Sequence, residues 1–498
     1  MNTRTPSQQL HTGQALAHIS AQWDQQLIAE LSRYISIPAK SPLFEPDWEK
    51  LGFIDTVLRN AADWATAQQI PGLRLEIVRL PGRTPVLFFE VDGTAERAAA
   101  GTTALMYGHM DKQPEFDGWR SDLGPWTPKY EDGKLYGRGS ADDGYAFYAG
   151  IAAIQEVKRQ NLPHPRIVGL IETCEESGSA DLLPYIDVLR PRMGNVGLVM
   201  CLDSGAGNYD QFWLTSSLRG MTSGTLKVEV LTEGVHSGDA SGVVPSSFRI
   251  LRQLLDRLED SKTGRVLPKP FHCEVPPDRM AQIRATADIL GKDAYARFPW
   301  VHYECDGTPY AVLPATTDPV QALIGRTWAP TLSVTGADGL PPLHSAGNVL
   351  RPFTALKLSV RLPPLANAAV CAQELKTLLE NDAPYQARVT FTTDGAADGW
   401  NAPASAPWFQ HALDTASHAY FGAPCGYIGQ GGSIPLINLL SQNFPHAQMM
   451  VCGVLGPNSN AHGPNECLHV PYAKKLTASV AAVIAAMAQA GRHEAAAN

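Results

Sequence analysis

Short apolar runs alternate with segments of helical spacing along most of this 498-residue chain. Leu73–Leu80 and Val86–Val91 read as two strands joined by the turn Pro81-Gly82-Arg83-Thr84. Thr103–Tyr107, Arg166–Glu172 and Asn195–Leu202 are short buried-type runs, and a helix is predicted over Tyr145–Gln160. Runs of this kind spaced by helices predict a largely parallel sheet covered on both faces.

The pattern changes near Leu218. Leu226, Val228 and Val230 alternate with Lys227 and Glu229, as a half-buried strand does. A helix over Ser246–Glu259, a Pro-rich stretch from Val266 to Pro342, a strand over Phe353–Leu362, a helix over Ala366–Glu380 and a strand over Arg388–Thr392 follow. Strands with one wet face and helices on the other predict a small α+β layer domain. The first style then returns in a helix over Trp408–Phe421, a strand over Met449–Val454 and a helix over Ala473–Ala490. The expected organisation is a catalytic domain in two parts, residues 1–216 and 395–498, interrupted by a domain of residues 217–394.

Composition narrows the partners. With 49 acidic and 40 basic side chains the net charge is −9, and no basic tract is present to neutralise phosphates, so nucleic acid is not expected. Hydrophobic residues at 44% against 18% charged exclude disorder as the main state. No apolar run reaches the ~18–20 residues that span a bilayer, and Met1–Ala21 has no apolar signal core, so no membrane partner and a cytoplasmic location are expected. The eight cysteines form no Cys-x-x-Cys pair and read as reduced thiols, with Cys174 and Cys201 as small buried hydrophobes.

Five segments beyond predicted strands or in Gly-rich loops hold the candidate chemistry. They are Tyr107-Gly108-His109-Met110-Asp111, the loop from Gly137 to Gly144, Glu172-Thr173-Cys174-Glu175-Glu176-Ser177-Gly178, Cys201-Leu202-Asp203-Ser204, and the loop from Asn458 to Gly463 with His462. Ligands of open α/β sheets bind outside the carboxyl ends of the strands, so these segments can converge. A convergence of His109, Asp142, Glu176, Asp203 and His462 would be the imidazole–carboxylate mix of a catalytic zinc site, free of the thiolates of a structural one. Three carboxylates against two divalent ions leave surplus positive charge, which favours hydroxide over water and polarises a carbonyl. Asp111 lies two residues from His109 and can fix its tautomer. Of the adjacent Glu175 and Glu176, one can bind metal while the other takes the proton of a water. Any one segment alone is a weak match, and the order of all five carries the reading.

The run from Tyr107 to Gly150, with ETCEESGS, CLDSG, GVHSGDASG, GGSIP and NAHGPNE, resembles the M20 metallopeptidases over roughly Leu27 to Ala490. The resemblance implies a zinc-aminopeptidase-like α/β catalytic domain, helices on both faces of a mixed, largely parallel sheet, with an inserted α+β lid and dimerisation domain. It implies two zinc ions per chain, with manganese or cobalt as alternatives. Asp142 matches the bridging carboxylate, His109 with Asp203 one metal site, and Glu176 with His462 the other. Glu175 matches the general base, Asp111 the partner of His109, and a cis Asp142–Asp143 bond is implied.

In the inserted domain His236 resembles a lid histidine that reaches the neighbouring subunit's active site in a homodimer, and Asn348 a lid polar residue of similar reach. Arg361 resembles the arginine that binds a substrate carboxylate, and Ser433 a loop residue meeting the same group. Aspartate at position 203 points to the branch of carnosinase and cytosolic non-specific dipeptidase. Two departures bear on specificity. Gly429-Gln430 stands where that branch has Arg-Glu, and Gly144 stands where a lysine is familiar after the acid pair. The expected activity is hydrolysis of the amide of a dipeptide or small peptide-like substrate with a free carboxylate. The alternatives are an N-acyl amino acid amidohydrolase and a catalytically silent binding protein on the same fold.

Overall fold

The computed structural model describes residues 9–94, 101–432 and 435–497. The chain forms two compact units, one drawn from Met1–Thr215, Ala402–Ile428 and Leu439–Asn498, the other from Ser216–Asn401 and Gly429–Asn438. Residues 395–401 and 429–438, expected with the last part of the catalytic domain, cluster with the second unit, whose strand Arg388–Ala397 runs past the expected boundary.

In the first unit six strands lie in the order Leu73–Val78, Val86–Val91, Arg166–Glu172, Thr102–His109, Asn195–Cys201, Gln448–Val451. The last four are mutually parallel and the first two add an antiparallel edge. Strand Thr102–His109 is buried from Thr103 onward, which requires cover on both faces. The helix Tyr145–Arg159 supplies much of it, with nearly all of its residues buried. Trp64, Phe147, Tyr148 and Phe89 meet edge to face with centroids 5.0–6.4 Å apart, joining that helix to Phe53–Ala67 and to the Val86–Val91 strand. Gly169 pairs with Phe89, and any side chain there would overlap the phenyl ring. A smaller sheet pairs Lys134–Tyr136 with Cys467–His469 and so holds two loops from opposite ends of the chain side by side.

In the second unit four antiparallel strands lie in the order Thr331–Asp338, Phe353–Leu362, Gly220–Glu229, Arg388–Ala397. Leu226, Val228, Leu358, Val360 and Leu362 pack with Ile250, Leu254, Leu258, Cys371, Leu375 and Leu379 of the helices Ser247–Leu258 and Ala368–Glu380. Each fully buried leucine there contributes about 1.5–3 kcal/mol of transfer free energy. The other sheet face carries the alternating polar positions.

The Pro-rich stretch from Val266 to Pro342 is more regular than its composition suggests. It holds the helices Pro277–Leu290 and Pro319–Thr327, the hairpin His302–Cys305 with Thr308–Ala311, and the edge strand Thr331–Asp338. Proline starts helices here instead of breaking them. Pro319 occupies the first turn behind Asp318, whose carboxylate caps Val320 and Gln321 N–H at 2.8 and 3.2 Å. None of the eight cysteines is disulfide-bonded, and Cys174 and Cys201 are buried. Among the described residues no helix is long and apolar enough to cross a membrane.

Candidate metal centre

The parallel register delivers the first residues. His109 ends its strand opposite Glu172, and the Glu175–Ser177 turn follows directly. Asp203 lies two residues beyond the neighbouring strand Asn195–Cys201. Asp142 precedes the helix Tyr145–Arg159, and the Asp142–Asp143 peptide is cis. His462 comes from the loop ahead of Cys467–His469.

These side chains meet at Asp142. Its Oδ1 lies 3.2 Å from His109 Nε2, and its Oδ2 lies 2.9 Å from His462 Nε2. His109 Nε2 is also 3.6 Å from Asp203 Oδ2, and His462 Nε2 is 3.3 Å from Glu176 Oε2. Each oxygen of one carboxylate thus faces a different imidazole, and each imidazole faces a further carboxylate. His109, Asp142 and Glu176 form one set of donor atoms within 4.8 Å of one another, and His109, Glu175 and Asp203 form a second. His109, Asp142 and Asp203 are buried, whereas the His462 side chain is 55% exposed, so solvent reaches the cluster from that side.

Asp111 organises the cluster from behind. Its Oδ1 lies 3.4 Å from His109 Nδ1, leaving Nε2 to face the acids. The same carboxylate accepts from the backbone N–H of Glu175 at 3.2 Å and of Glu176 at 3.0 Å, which pins the turn carrying both glutamates. Gln113 Nε2 donates to Glu176 Oε2 at 2.6 Å.

The electrostatics are those of a concentrated acid cluster. Burial first, then neighbouring carboxylates, pushes the Glu175 and Glu176 carboxyls well above the usual carboxylate range. Burial and then Asp142 push Asp203 up to about 7. Burial pulls the His109 imidazole down, but its bonds to Asp111 and Asp142 outweigh this and hold it well above its ordinary value. Burial would raise Asp142 as well, and its bonds to both imidazoles reverse the sign and lower it. Four acids and two imidazoles crowded in this way, the acids repelling one another, fit divalent cations, whose charge relieves the repulsion. The thiolate-free nitrogen–oxygen donor set fits a hydrolytic metal.

Residues outside the expected set turn out to fasten it. Glu466 accepts from Arg138 Nη1 at 2.8 Å and from the backbone N–H of Gly139, Ala141 and Asp142 at 3.1–3.3 Å. Both residues fall inside the M20-like segments, yet no spacing rule links an acid to an arginine 328 positions away. Lys112, next to Asp111, is buried with its Nζ donating to the carbonyls of Tyr34, Ile35 and Ile37 at 2.6, 3.3 and 2.8 Å. The ammonium lies 3.8 Å above the Tyr34 ring, and that same ring occupies the space a side chain on Gly144 would need. The glycine after the acid pair thus has a packing reason.

The remaining expected residues belong to the second unit. His236 pairs with Val349, and Ser237 N–H donates to the Asn348 carbonyl at 3.0 Å, so His236 and Asn348 are neighbours and both are exposed. Arg361 stands in the strand Phe353–Leu362 between Met221 and Thr331. Ser433 lies outside the described residues.

A family model described as peptidase family M20/M25/M40 matches residues 105–486. Over 431 residues the chain is 27% identical to a cysteinylglycine-S-conjugate dipeptidase of Corynebacterium striatum, covering 83% of this chain and 88% of that protein. Over 432 residues it is 25% identical to the Beta-Ala-His dipeptidase of Homo sapiens, covering 83% and 79%. The crystal structure of human carnosine dipeptidase 1 matches with a TM-score of 0.74 at 21% identity, covering 96% of this chain and 99% of that one, and so shares the fold.

Proposed function

The chain belongs to peptidase family M20/M25/M40, and from that premise we propose that it hydrolyses the amide bond of dipeptides or similarly small substrates with a free carboxylate. The observation that supports this most is the placement of Asp142, one oxygen toward His109 and the other toward His462. Asp142 would be shared by two divalent cations, with His109 and Asp203 completing one set and Glu176 and His462 the other. Zinc suits these donors, with manganese and cobalt as alternatives. The chemistry such a pair supplies is Lewis acidity, which polarises a carbonyl and acidifies a water.

Glu175 takes the proton from the attacking water at a carboxylate oxygen and returns it to the leaving amine nitrogen. Its carboxylate lies within 4.8 Å of the His109 and Asp203 donor atoms, inside the cluster where that proton moves. Asp111 keeps His109 and the glutamate turn in place. Arg361 takes the substrate carboxylate with its planar fork, helped by Ser433. His236, with Asn348 beside it, stabilises the developing oxyanion in the neighbouring subunit of a homodimer.

A second reading, an N-acyl amino acid amidohydrolase, is favoured by the neutral Gln430 in place of an acid that would meet a free substrate amine.

Two isosteric substitutions test the assignment of roles. Glu175→Gln should lower turnover roughly 10²–10⁴-fold or more with metal content unchanged. Glu176→Gln should lower the metal content. The reverse result would exchange the two roles, and retention of full turnover in both would remove the glutamates from the mechanism. A panel of free dipeptides and N-acyl amino acids on zinc-loaded protein, read by mass spectrometry, decides between the substrate classes.

A further inference from the structure

The sheet of the second unit has two unlike faces. Leu356, Leu358, Val360 and Leu362 point into the apolar core, so Lys357, Ser359 and Arg361 lie on the opposite face. Arg361 pairs with Thr331, and directly opposed side chains share a face. The Thr331 hydroxyl in turn accepts from Arg219 Nη1 at 3.0 Å. Arg219 donates further to the carbonyls of Gly431 at 3.0 Å and Ala329 at 3.4 Å.

Gly431 brings in a third arginine through its main chain and the base of its side chain. A Cβ on Gly431 would lie 3.1 Å from Arg219 Nη2, 3.0 Å from the main-chain oxygen of Arg326 and 3.4 Å from its Cγ. The missing side chain is what lets both arginines pack on this loop. Arg326 stands in the last turn of the helix Pro319–Thr327, and its Nη1 is buried without a hydrogen-bond partner among the described residues. Burial first, then the cations of Arg297 and Arg219, push the Arg326 pKa down to about 9, so it is still charged at neutral pH. Burial and then Arg361 push Arg219 down to about 10. A half-buried arginine whose Nη1 is buried and without a partner, with two further cations beside it, is out of place unless an anion answers it.

We propose that Arg326 is the centre of a second anion subsite in this unit, adjoining Arg361, and that it takes the side-chain carboxylate of an aspartyl or glutamyl residue at the carboxyl end of the substrate. Arg361 then holds the main-chain carboxylate, as in the amide-hydrolase reading on which this ligand assignment rests. Arg219 is committed to the Thr331 hydroxyl and to carbonyls, and contributes charge and rigidity. The neutral Gln430, whose carbonyl accepts the Arg219 N–H at 3.3 Å, leaves the positive cluster unopposed from that position.

The test is binding without turnover. On zinc-loaded Glu175→Gln protein, calorimetry compares N-acetyl-L-glutamate with N-acetyl-L-glutamine, nearly identical in shape and differing by one charge. We expect the glutamate to bind at least about tenfold tighter, as a charge-assisted hydrogen bond gives. Adding Arg326→Gln should bring the ratio close to one while N-acetyl-L-glutamine binds as before, which shows the fold intact, and Arg326→Lys should restore part of the preference. Equal binding of the two ligands, a preference that survives Arg326→Gln, or equal weakening of both ligands overturns the proposal. A third arm uses inorganic phosphate. Phosphate that binds tighter than N-acetyl-L-glutamate and is lost with Arg326→Gln overturns the assignment to the substrate. The hydrolase reading fails separately, when wild-type protein cleaves neither dipeptides nor N-acyl amino acids, and the binding ratio is readable in that case too.

Discussion

Glu466→Gln disturbs the metal centre while leaving every proposed ligand in place. The Glu466 carboxylate is fully buried and accepts from Gly139, Ala141 and Asp142 N–H and from Arg138 Nη1. Arg138, 1% exposed, continues to the carbonyls of His462 at 3.2 Å and Pro114 at 3.1 Å. One ion pair therefore fastens the loop of Asp142 to the loop of His462, the two residues that face each other across 2.9 Å. Glutamine has nearly the same shape, but one acceptor oxygen becomes an NH₂ aimed at N–H donors. Removing one partner of a buried pair costs about 3–5 kcal/mol. The backbone donors left without an acceptor, at about 1–3 kcal/mol each, are part of that same loss and are not added to it.

The expected destabilisation is thus about 3–5 kcal/mol. Urea unfolding of the zinc-loaded protein, followed by tryptophan fluorescence, should show a lower midpoint at unchanged slope. Zinc affinity, measured by competition with a chromophoric chelator, should fall about 10–100-fold, as for residues that orient ligands from behind. The two readouts separate the alternatives. A midpoint shift with unchanged zinc affinity would make Glu466 a purely structural anchor. An unfolding free energy within about 0.5 kcal/mol of wild type would refute the buried-pair argument itself, because surface substitutions do no more than that.

Removing the metal should make stability depend on pH in a stated direction. Burial lifts the carboxyls of Asp203 and Glu172 to about 7, against about 4 in an unfolded chain. The folded metal-free protein then holds protons that the unfolded chain releases, so stability falls as pH rises from about 4 to 7. Melts in chelator should give a lower Tm at pH 8 than at pH 5, with the gap narrowed by zinc, and an equal or higher Tm at pH 8 contradicts the cluster electrostatics. Arg361→Ala should depress kcat/KM sharply on substrates with a free carboxylate and far less on their amides; equal losses on both would remove Arg361 from carboxylate binding. Mixing inactive His236→Ala subunits with inactive Glu175→Gln subunits should recover part of the activity if sites are completed between subunits. Hetero-oligomers that form and stay inactive would count against that sharing.

What the sequence made legible follows from how locally each feature is encoded. The strand Phe353–Leu362 was readable to the residue, and from Leu356 onward its burial alternates between one wet and one dry face. The acids and imidazoles of the centre were readable because a parallel sheet places the residues after its strands at one edge, so order along the chain sufficed to group His109, Glu176 and Asp203. Features that depend on contact between distant segments were not. The helices Pro277–Leu290 and Pro319–Thr327 hid behind prolines that occupy their first turns. The Arg138–Glu466 pair and the Arg219–Gly431–Arg326 cluster exist only through tertiary approach. Gly144 shows the same logic at one residue. From sequence it is a missing lysine, a change of charge beside the catalytic acids. In the fold it is a change of shape, since Tyr34 fills the place and Lys112 rests its ammonium on the same ring. Restoring Gly144→Lys would therefore collide with Tyr34 before it could act on the site. Its effect would appear first as lost stability, and only a simultaneous Tyr34→Ala would let the charge itself be tested.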